Sequence, residues 1–246
     1  MAVSFENFAY SFKNDKGKPV FVPSARGRKI AEEVRELVIE RFDFEPHYYH
    51  FSKGAHVAAL HAHRDHRFFA RLDLKNFFYS VSRNRVKSVL EEIDVPRAEH
   101  FAKWSTVRNP YIEPRYALPY GFPQSPLLAT VALRKSALGT AIHDLPENIR
   151  RSVYLDDIAI SSDAQDDLIH AFDDLKAAVL AANFELNEAK VSGPAEQIDL
   201  FNCDLSHGKS VVSDDRVAAF HEHAQSDDSR AAFENYVASV SAGNQD

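Results

Sequence analysis

The chain has 246 residues, 45% of them hydrophobic, enough for one large domain or two subdomains sharing a cleft, and no long stretch is polar or repetitive enough to read as disorder. Its single cysteine, Cys203, excludes an intramolecular disulfide and a cysteine-built zinc site; with no apolar run of membrane-spanning length and no leader pattern at Met1 to Glu6, a soluble cytoplasmic protein is expected. The net charge of −7 argues against a phosphate-rich partner, yet Lys13, Lys16, Lys18, Arg26, Arg28 and Lys29 gather near the front, so the charge is segregated.

Phe12 to Pro23 is predicted as a β-hairpin turning at Lys16-Gly17. A helix follows, because Ile30, Val34, Leu37 and Val38 share one face and Glu32, Glu33 and Glu36 lie outside it. Residues 42 to 67, rich in aromatics and histidines, read as a looser connection into the strand-like run Phe68-Phe69-Ala70-Arg71-Leu72-Asp73. Val86, Val89, Leu90 and Ile93 mark an amphipathic helix stopped before Pro96, and Leu127 to Leu138 reads as a buried helix. Val153 to Ile160 reads as two strands joined by a tight acidic turn, followed by the helical stripe Leu168, Phe172, Leu175 and Val179. Beyond Leu205, two amphipathic helices are expected, around Val217, Phe220 and His221 and around Ala231, Phe233, Tyr236, Val237 and Val240. This order is α+β rather than alternating α/β.

Two acidic positions carry chemistry. Asp156 and Asp157 at a hairpin tip repel each other unless a cation neutralises them, which suits Mg²⁺ or Mn²⁺ with oxygen ligands; Asp-Asp is also ordinary turn chemistry. Asp73 ends an apolar strand, where an unpaired charge is costly to bury. If the two segments lie side by side, the carboxylates can share two metal ions, the apparatus of in-line phosphoryl or nucleotidyl transfer. The histidines at 47, 50, 56, 61, 63 and 66 invite a metal reading too, but they come with no thiolate and no carboxylate at helical ligand spacing.

Three ordered segments resemble motifs of the reverse transcriptase family. Leu72-Asp73-Leu74-Lys75-Asn76-Phe77-Phe78 resembles motif A, Leu118-Pro119-Tyr120-Gly121-Phe122-Pro123-Gln124-Ser125-Pro126 resembles motif B, and Tyr154-Leu155-Asp156-Asp157 is similar to motif C. Leu186-Asn187-Glu188-Ala189-Lys190 resembles motif D, and the similarity covers about residues 10 to 210. The resemblance implies a right-hand polymerase with fingers, palm and a short helical thumb. Fingers would occupy 1–70 and about 95–115, palm 71–94 and 116–205, and thumb 206–246.

The same resemblance implies residue roles. Asp73, Asp156 and Asp157, with the backbone of Leu74, would hold two Mg²⁺ or Mn²⁺ ions, and Lys190 would protonate the leaving pyrophosphate. Leu74, Lys75, Asn76, Phe77, Phe78, Tyr120, Gly121 and Gln124 would meet the deoxynucleoside triphosphate, Phe78 as a steric gate against the 2′-hydroxyl. As strand neighbours Phe77 and Phe78 would face opposite ways, leaving one in the core. Tyr120 stands where the family usually has glutamine; aligning through Pro123-Gln124 restores that glutamine but shifts Ser125-Pro126. Gly121 would let backbone approach base and template. Lys13, Lys16, Lys18, Arg26, Arg28 and Tyr154 would contact RNA template and DNA product, whereas Trp104 is expected to pack within the fingers.

No RNase H, endonuclease, maturase or integrase region is expected after the palm. Phe51-Ser52-Lys53-Gly54 resembles part of a finger motif of retron enzymes, but neither the following Asn-Ala-x-x-His nor a Val-Thr-Gly near Leu200 is present. The resemblance is therefore closer to compact bacterial reverse transcriptases of antiphage defence and abortive infection, working with a dedicated noncoding RNA, a partner protein or a second copy of the chain. A retron enzyme, a template-independent polymerase, a palm-fold nucleotidyl cyclase and an inactive RNA-binding scaffold stand as alternatives.

Overall fold

The computed structural model describes residues 6–222 and 226–245, so Met1 to Phe5 of the leader reading lie outside it. In chain order the elements begin with strands β1 (Phe8–Lys13) and β2 (Pro19–Pro23) and helices α1 (Ala25–Arg41) and α2 (Ala55–His63). Strand β3 (Phe68–Asp73) leads to α3 (Phe77–Ser80), α4 (Arg83–Glu92) and α5 (Ala98–Ser105). Next come β4 (Val107–Arg108), β5 (Tyr116–Ala117), α6 (Ser125–Arg134), α7 (Ala137–His143), β6 (Arg150–Tyr154) and β7 (Asp157–Ser162). The chain continues through α8 (Gln165–Ala181), β8 (Ser192–Ala195), β9 (Gln197–Leu200), β10 (Cys203–Ser206), β11 (Lys209–Val212), α9 (Asp214–His221) and α10 (Asp227–Ser241).

These elements form two compact units, residues 1–44 with 75–140 and residues 45–74 with 141–246. The first unit joins α6 to the N-terminal hairpin, and the second joins residues 45–70 to the strand carrying Asp73.

In the first unit, β1 and β2 pair antiparallel around a turn where Gly17 takes a left-handed φ of 70° and the Asn14 side-chain oxygen Oδ1 accepts from the amides of Lys16 and Lys18. α1 starts at Ser24, whose hydroxyl accepts from the Gly27 amide, and buries Ile30, Val34 and Val38 as their spacing predicts. Phe21, Tyr79, Val107, Ala117 and Phe122 form a core cluster, with Phe8 and Tyr120 packed against it. The helix expected over Leu127 to Leu138 ends at Arg134, because the Ser136 hydroxyl accepts from the Gly139 amide and starts α7. Phe77 and Phe78 lie on the short helix α3 rather than on a strand, so both are buried instead of facing opposite ways.

The second unit is built on an antiparallel sheet of order β6-β7-β3-β8. Its centre, β3, pairs with β7 so that Asp73 stands opposite Asp157 and Leu72 opposite Ile158. α8 packs against β3 and β7 through the buried stripe Leu168, Phe172, Leu175 and Val179. A second sheet, β11-β10-β9, shares a core with Ala59 and Leu60 of α2, Phe69, Ala159 and Cys203. Val217 of α9 and Phe233, Tyr236 and Val237 of α10 pack onto that core, and the Phe220 and Phe233 rings stack at 3.9 Å. Beyond α10, Arg64 donates to the Ala242 carbonyl at 2.8 Å and to Asn244 Oδ1 at 2.9 Å. The Asn244 amide in turn accepts from the Ser210 N–H and donates to the Ser210 carbonyl, both at 2.9 Å.

Candidate active site

Strand alternation puts Phe69, Arg71 and Asp73 on one face of β3. Arg71 and Asp73 are both buried, so each needs a counter-charge. Asp73 is 3% exposed at its side chain; Oδ2 receives Lys190 Nζ at 2.8 Å and Oδ1 receives Asn187 Nδ2 at 2.9 Å. Asn187 also donates its backbone N–H to the Asp73 carbonyl at 2.8 Å, which fixes the Glu188–Lys190 3-10 turn beside the strand end.

The acidic turn between β6 and β7 is narrow. Leu155 takes a φ of 58°, a conformation uncommon for a side chain with a Cβ, and its amide donates to His50 Nδ1 at 3.3 Å. The Leu74 amide donates to the Asp156 carbonyl at 2.8 Å, tying the end of β3 to the turn. Asp157 Oδ1 accepts from Arg71 Nε at 2.7 Å and from Arg71 Nη2 at 2.6 Å. The third guanidinium nitrogen, Nη1, donates to Asp199 Oδ1 at 2.8 Å and to the Asp199 carbonyl at 3.1 Å.

The three carboxylates are therefore unequal. Asp156 makes no ion pair among the described residues; burial, then the charges of Asp157 and Asp73, push its carboxyl up to about 6. Burial also raises Asp157, against the opposing charge and hydrogen bonds of Arg71. For Lys190, burial works downward, but the hydrogen bond and charge of Asp73 outweigh it and the ammonium is held above its ordinary range. As the side chains stand, no three His, Cys, Asp or Glu among the described residues converge on one metal position, since Asp73 and Asp157 are turned into their basic partners. The donor set still fits a hard divalent cation: it is all oxygen, and Asp156 is a half-buried carboxylate that makes no ion pair among the described residues.

The sequence-predicted residues of the first unit form a different kind of cluster. Phe78 is 8% exposed and meets the Tyr120 ring edge-on at 4.8 Å; Tyr79 does so at 5.5 Å. Lys18 Nζ donates to the Tyr120 hydroxyl at 3.3 Å and sits over its ring at 5.1 Å. Gly121 has a φ of 96°, and a Cβ there would stand 2.3 Å from the Phe21 carbonyl oxygen, so the close approach that requires glycine is to strand β2. Gln124 is 1% exposed and donates to Ser105 Oγ, which makes it a core amide. Asn76 begins α3 in a left-handed conformation and Lys75 is exposed. Lys13, Lys16, Arg26 and Arg28 are exposed, with Arg26 over the ring of buried Trp104 at 4.9 Å. Tyr154 belongs to the second unit, where it packs edge-on against His50, His56 and Phe201.

Arg71, Asn187, Asp199 and His50 are site residues without an assigned role in the sequence reading. The signal for Arg71 is its place two residues before Asp73 in an apolar strand; Asp199 is 128 positions away and carries no local signal. Two of the other histidines hold the fold together: His63 bonds Ser161 and Ser152 through its two ring nitrogens, and His61 bonds the Val240 carbonyl.

A family profile described as reverse transcriptase (RNA-dependent DNA polymerase) matches residues 13–201. Among solved structures, a foamy viral protease-reverse transcriptase in complex with double-stranded DNA matches with a TM-score of 0.52 and 14% identity over 88% of this chain. That match spans 32% of the viral chain, so it speaks to the fold alone. No curated protein matches the sequence. The α+β polymerase fold expected from the motifs is the fold observed.

Proposed function

The chain belongs to the reverse transcriptase family, and from that premise we propose that it is an RNA-directed DNA polymerase centred on Asp73 and Asp156, with Asp157 less critical. The observation that carries the reading is the β3–β7 register, which sets Asp73 opposite Asp157 while the Leu74 amide bonds the Asp156 carbonyl. The chemistry two bound Mg²⁺ or Mn²⁺ ions supply in such a site is activation of the attacking hydroxyl and neutralisation of charge on the reacting phosphate. Asp73, Asp156 and the Leu74 backbone present oxygen donors. Lys190, half exposed and held protonated, offers a proton to the leaving pyrophosphate.

In the same reading Phe78 excludes the 2′-hydroxyl, Lys75, Asn76, Phe77, Tyr120, Gly121 and Gln124 shape the nucleotide pocket, and Lys13, Lys16, Lys18, Arg26 and Arg28 hold the nucleic-acid backbone with Tyr154 as a further contact. Residues 206–246 serve as a short thumb; they carry three Lys and Arg against seven Asp and Glu, which predicts a weak grip on a duplex and reliance on a structured RNA, a partner protein or self-association. The biological setting we assign is bacterial antiphage defence in the cytoplasm with a dedicated noncoding RNA, with a retron enzyme making RNA-linked DNA as the alternative. Mg²⁺-dependent extension of a DNA primer on an RNA template tests the activity, and sequencing the copurifying nucleic acid tests the setting. Absence of incorporation on any primer-template would overturn the polymerase reading.

One observation favours a second reading. Arg71 and Lys190 neutralise two of the three carboxylates, so a palm that binds RNA as a scaffold could keep these residues without accumulating repulsion. RNA binding that persists while incorporation is absent would support it.

A further inference from the structure

We propose that Arg71 is a positioning residue that keeps Asp157 beside the metal site without letting it become a metal ligand, leaving the cations to Asp73 and Asp156. The proposal rests on the metal site of the preceding reading and explains why the two adjacent acids of one turn are not interchangeable. Arg71 is buried, and its planar fork is fully committed: Nε and Nη2 to Asp157 Oδ1, Nη1 to Asp199. A lysine could not span both carboxylates. For a cation to recruit Asp157 it would have to displace a buried guanidinium held from a second side by Asp199; at Asp73 it would displace only the Lys190 ammonium, 48% exposed at its side chain, and the Asn187 amide, and Asp156 has no ion pair to displace among the described residues.

The guanidinium also repels any cation placed a few ångströms away. Charge and geometry then predict opposite outcomes when Arg71 is neutralised. Cation affinity should rise, because a positive charge leaves and Asp157 becomes available. Polymerisation should fall, because Asp157 is no longer held where the turn needs it. A purely structural role for Arg71 would lower both.

The test is a Mn²⁺ titration of the full chain, read by the electron paramagnetic resonance of free Mn²⁺, with no nucleotide or nucleic acid present. Arg71→Gln should bind Mn²⁺ roughly tenfold more tightly than the parent while losing primer extension. Asp157→Asn should stay within about threefold of the parent affinity, Asp156→Asn should weaken it by more than about tenfold, and the double variant Arg71→Gln/Asp157→Asn should lose the gain. Asp157→Asn weakening Mn²⁺ binding as much as Asp156→Asn would overturn the proposal while leaving the metal site standing, and this comparison decides the matter even if Arg71→Gln does not fold. Unchanged or weaker binding by folded Arg71→Gln would overturn it too. No Mn²⁺ binding by the parent protein would overturn the metal reading and the proposal with it.

Discussion

The acidic strand ends of the second unit and the aromatic cluster of the first carry the same family resemblance, yet their residues are held by different physics. Around Asp73 and Asp157 the carboxylates are held by charge-assisted hydrogen bonds: Lys190 and Asn187 aim donors at Asp73, and Arg71 aims two at Asp157. Around Tyr120 and Gly121 the contacts are mainly packing: Phe78 and Tyr79 against the tyrosine ring, and the Phe21 backbone against the glycine. The difference teaches that motif residues divide into those whose loss changes chemistry at little structural cost and those whose loss unsettles the fold first.

The largest expected effect is Asp156→Asn. Primer extension should fall by about three orders of magnitude or more, as expected for removal of a ligand that acts with others. Stability should move the other way. The folded carboxyl titrates at about 6 against an ordinary 3.8, so its ionisation costs the fold increasingly from about pH 4 upward and fully above pH 6. Urea denaturation of metal-free protein should therefore find Asp156→Asn more stable by about 1–3 kcal/mol at pH 8, with no gain below pH 4. A loss of stability at pH 8 would break the comparison at its strongest point.

Phe78→Ala should cost about 3 kcal/mol, since a buried ring is removed from against Tyr120. If it is also the gate, the ratio of ribonucleotide to deoxynucleotide incorporation should rise in the fraction that folds; an unchanged ratio would place the gate elsewhere. Gly121→Ala should cost about 2–3 kcal/mol through its left-handed φ and the 2.3 Å approach to the Phe21 carbonyl oxygen, read as a lower urea midpoint. The smallest effect belongs to Tyr120→Phe. It removes only the hydroxyl that Lys18 bonds and keeps the ring, so stability should change by less than about 1 kcal/mol.

What the sequence makes legible follows from the same division. The first hairpin, α1, α4, α8 and the acidic turn are set by nearest neighbours and period, and they appear where the pattern predicts. Helix α2 is hidden because alanines and the histidines at 56, 61 and 63 blur its apolar stripe; His63 is fully buried, made tolerable by Ser152 and Ser161 from β6 and β7. The helical start at Phe77 is hidden because it turns on Asn76 in a left-handed conformation directly after a strand. Asp73 and the Asp156-Asp157 pair announce themselves as charges among apolar residues. What restrains them does not, because Arg71 meets Asp157 and Asp199 across 86 and 128 positions of chain.

The Asn244 side chain has a further consequence. β11 is an outer strand, and an outer strand offers a row of free N–H and C=O groups on which any extended segment of another molecule can add itself. By accepting from and donating to Ser210, one amide side chain fills the hydrogen-bonding place that a neighbouring strand residue would take, and the Gln245 N–H, bonded to the Gly208 carbonyl at 2.8 Å, closes another. This margin of the sheet is thereby made unattractive to stray β-pairing, a safeguard against aggregation that involves no catalytic residue.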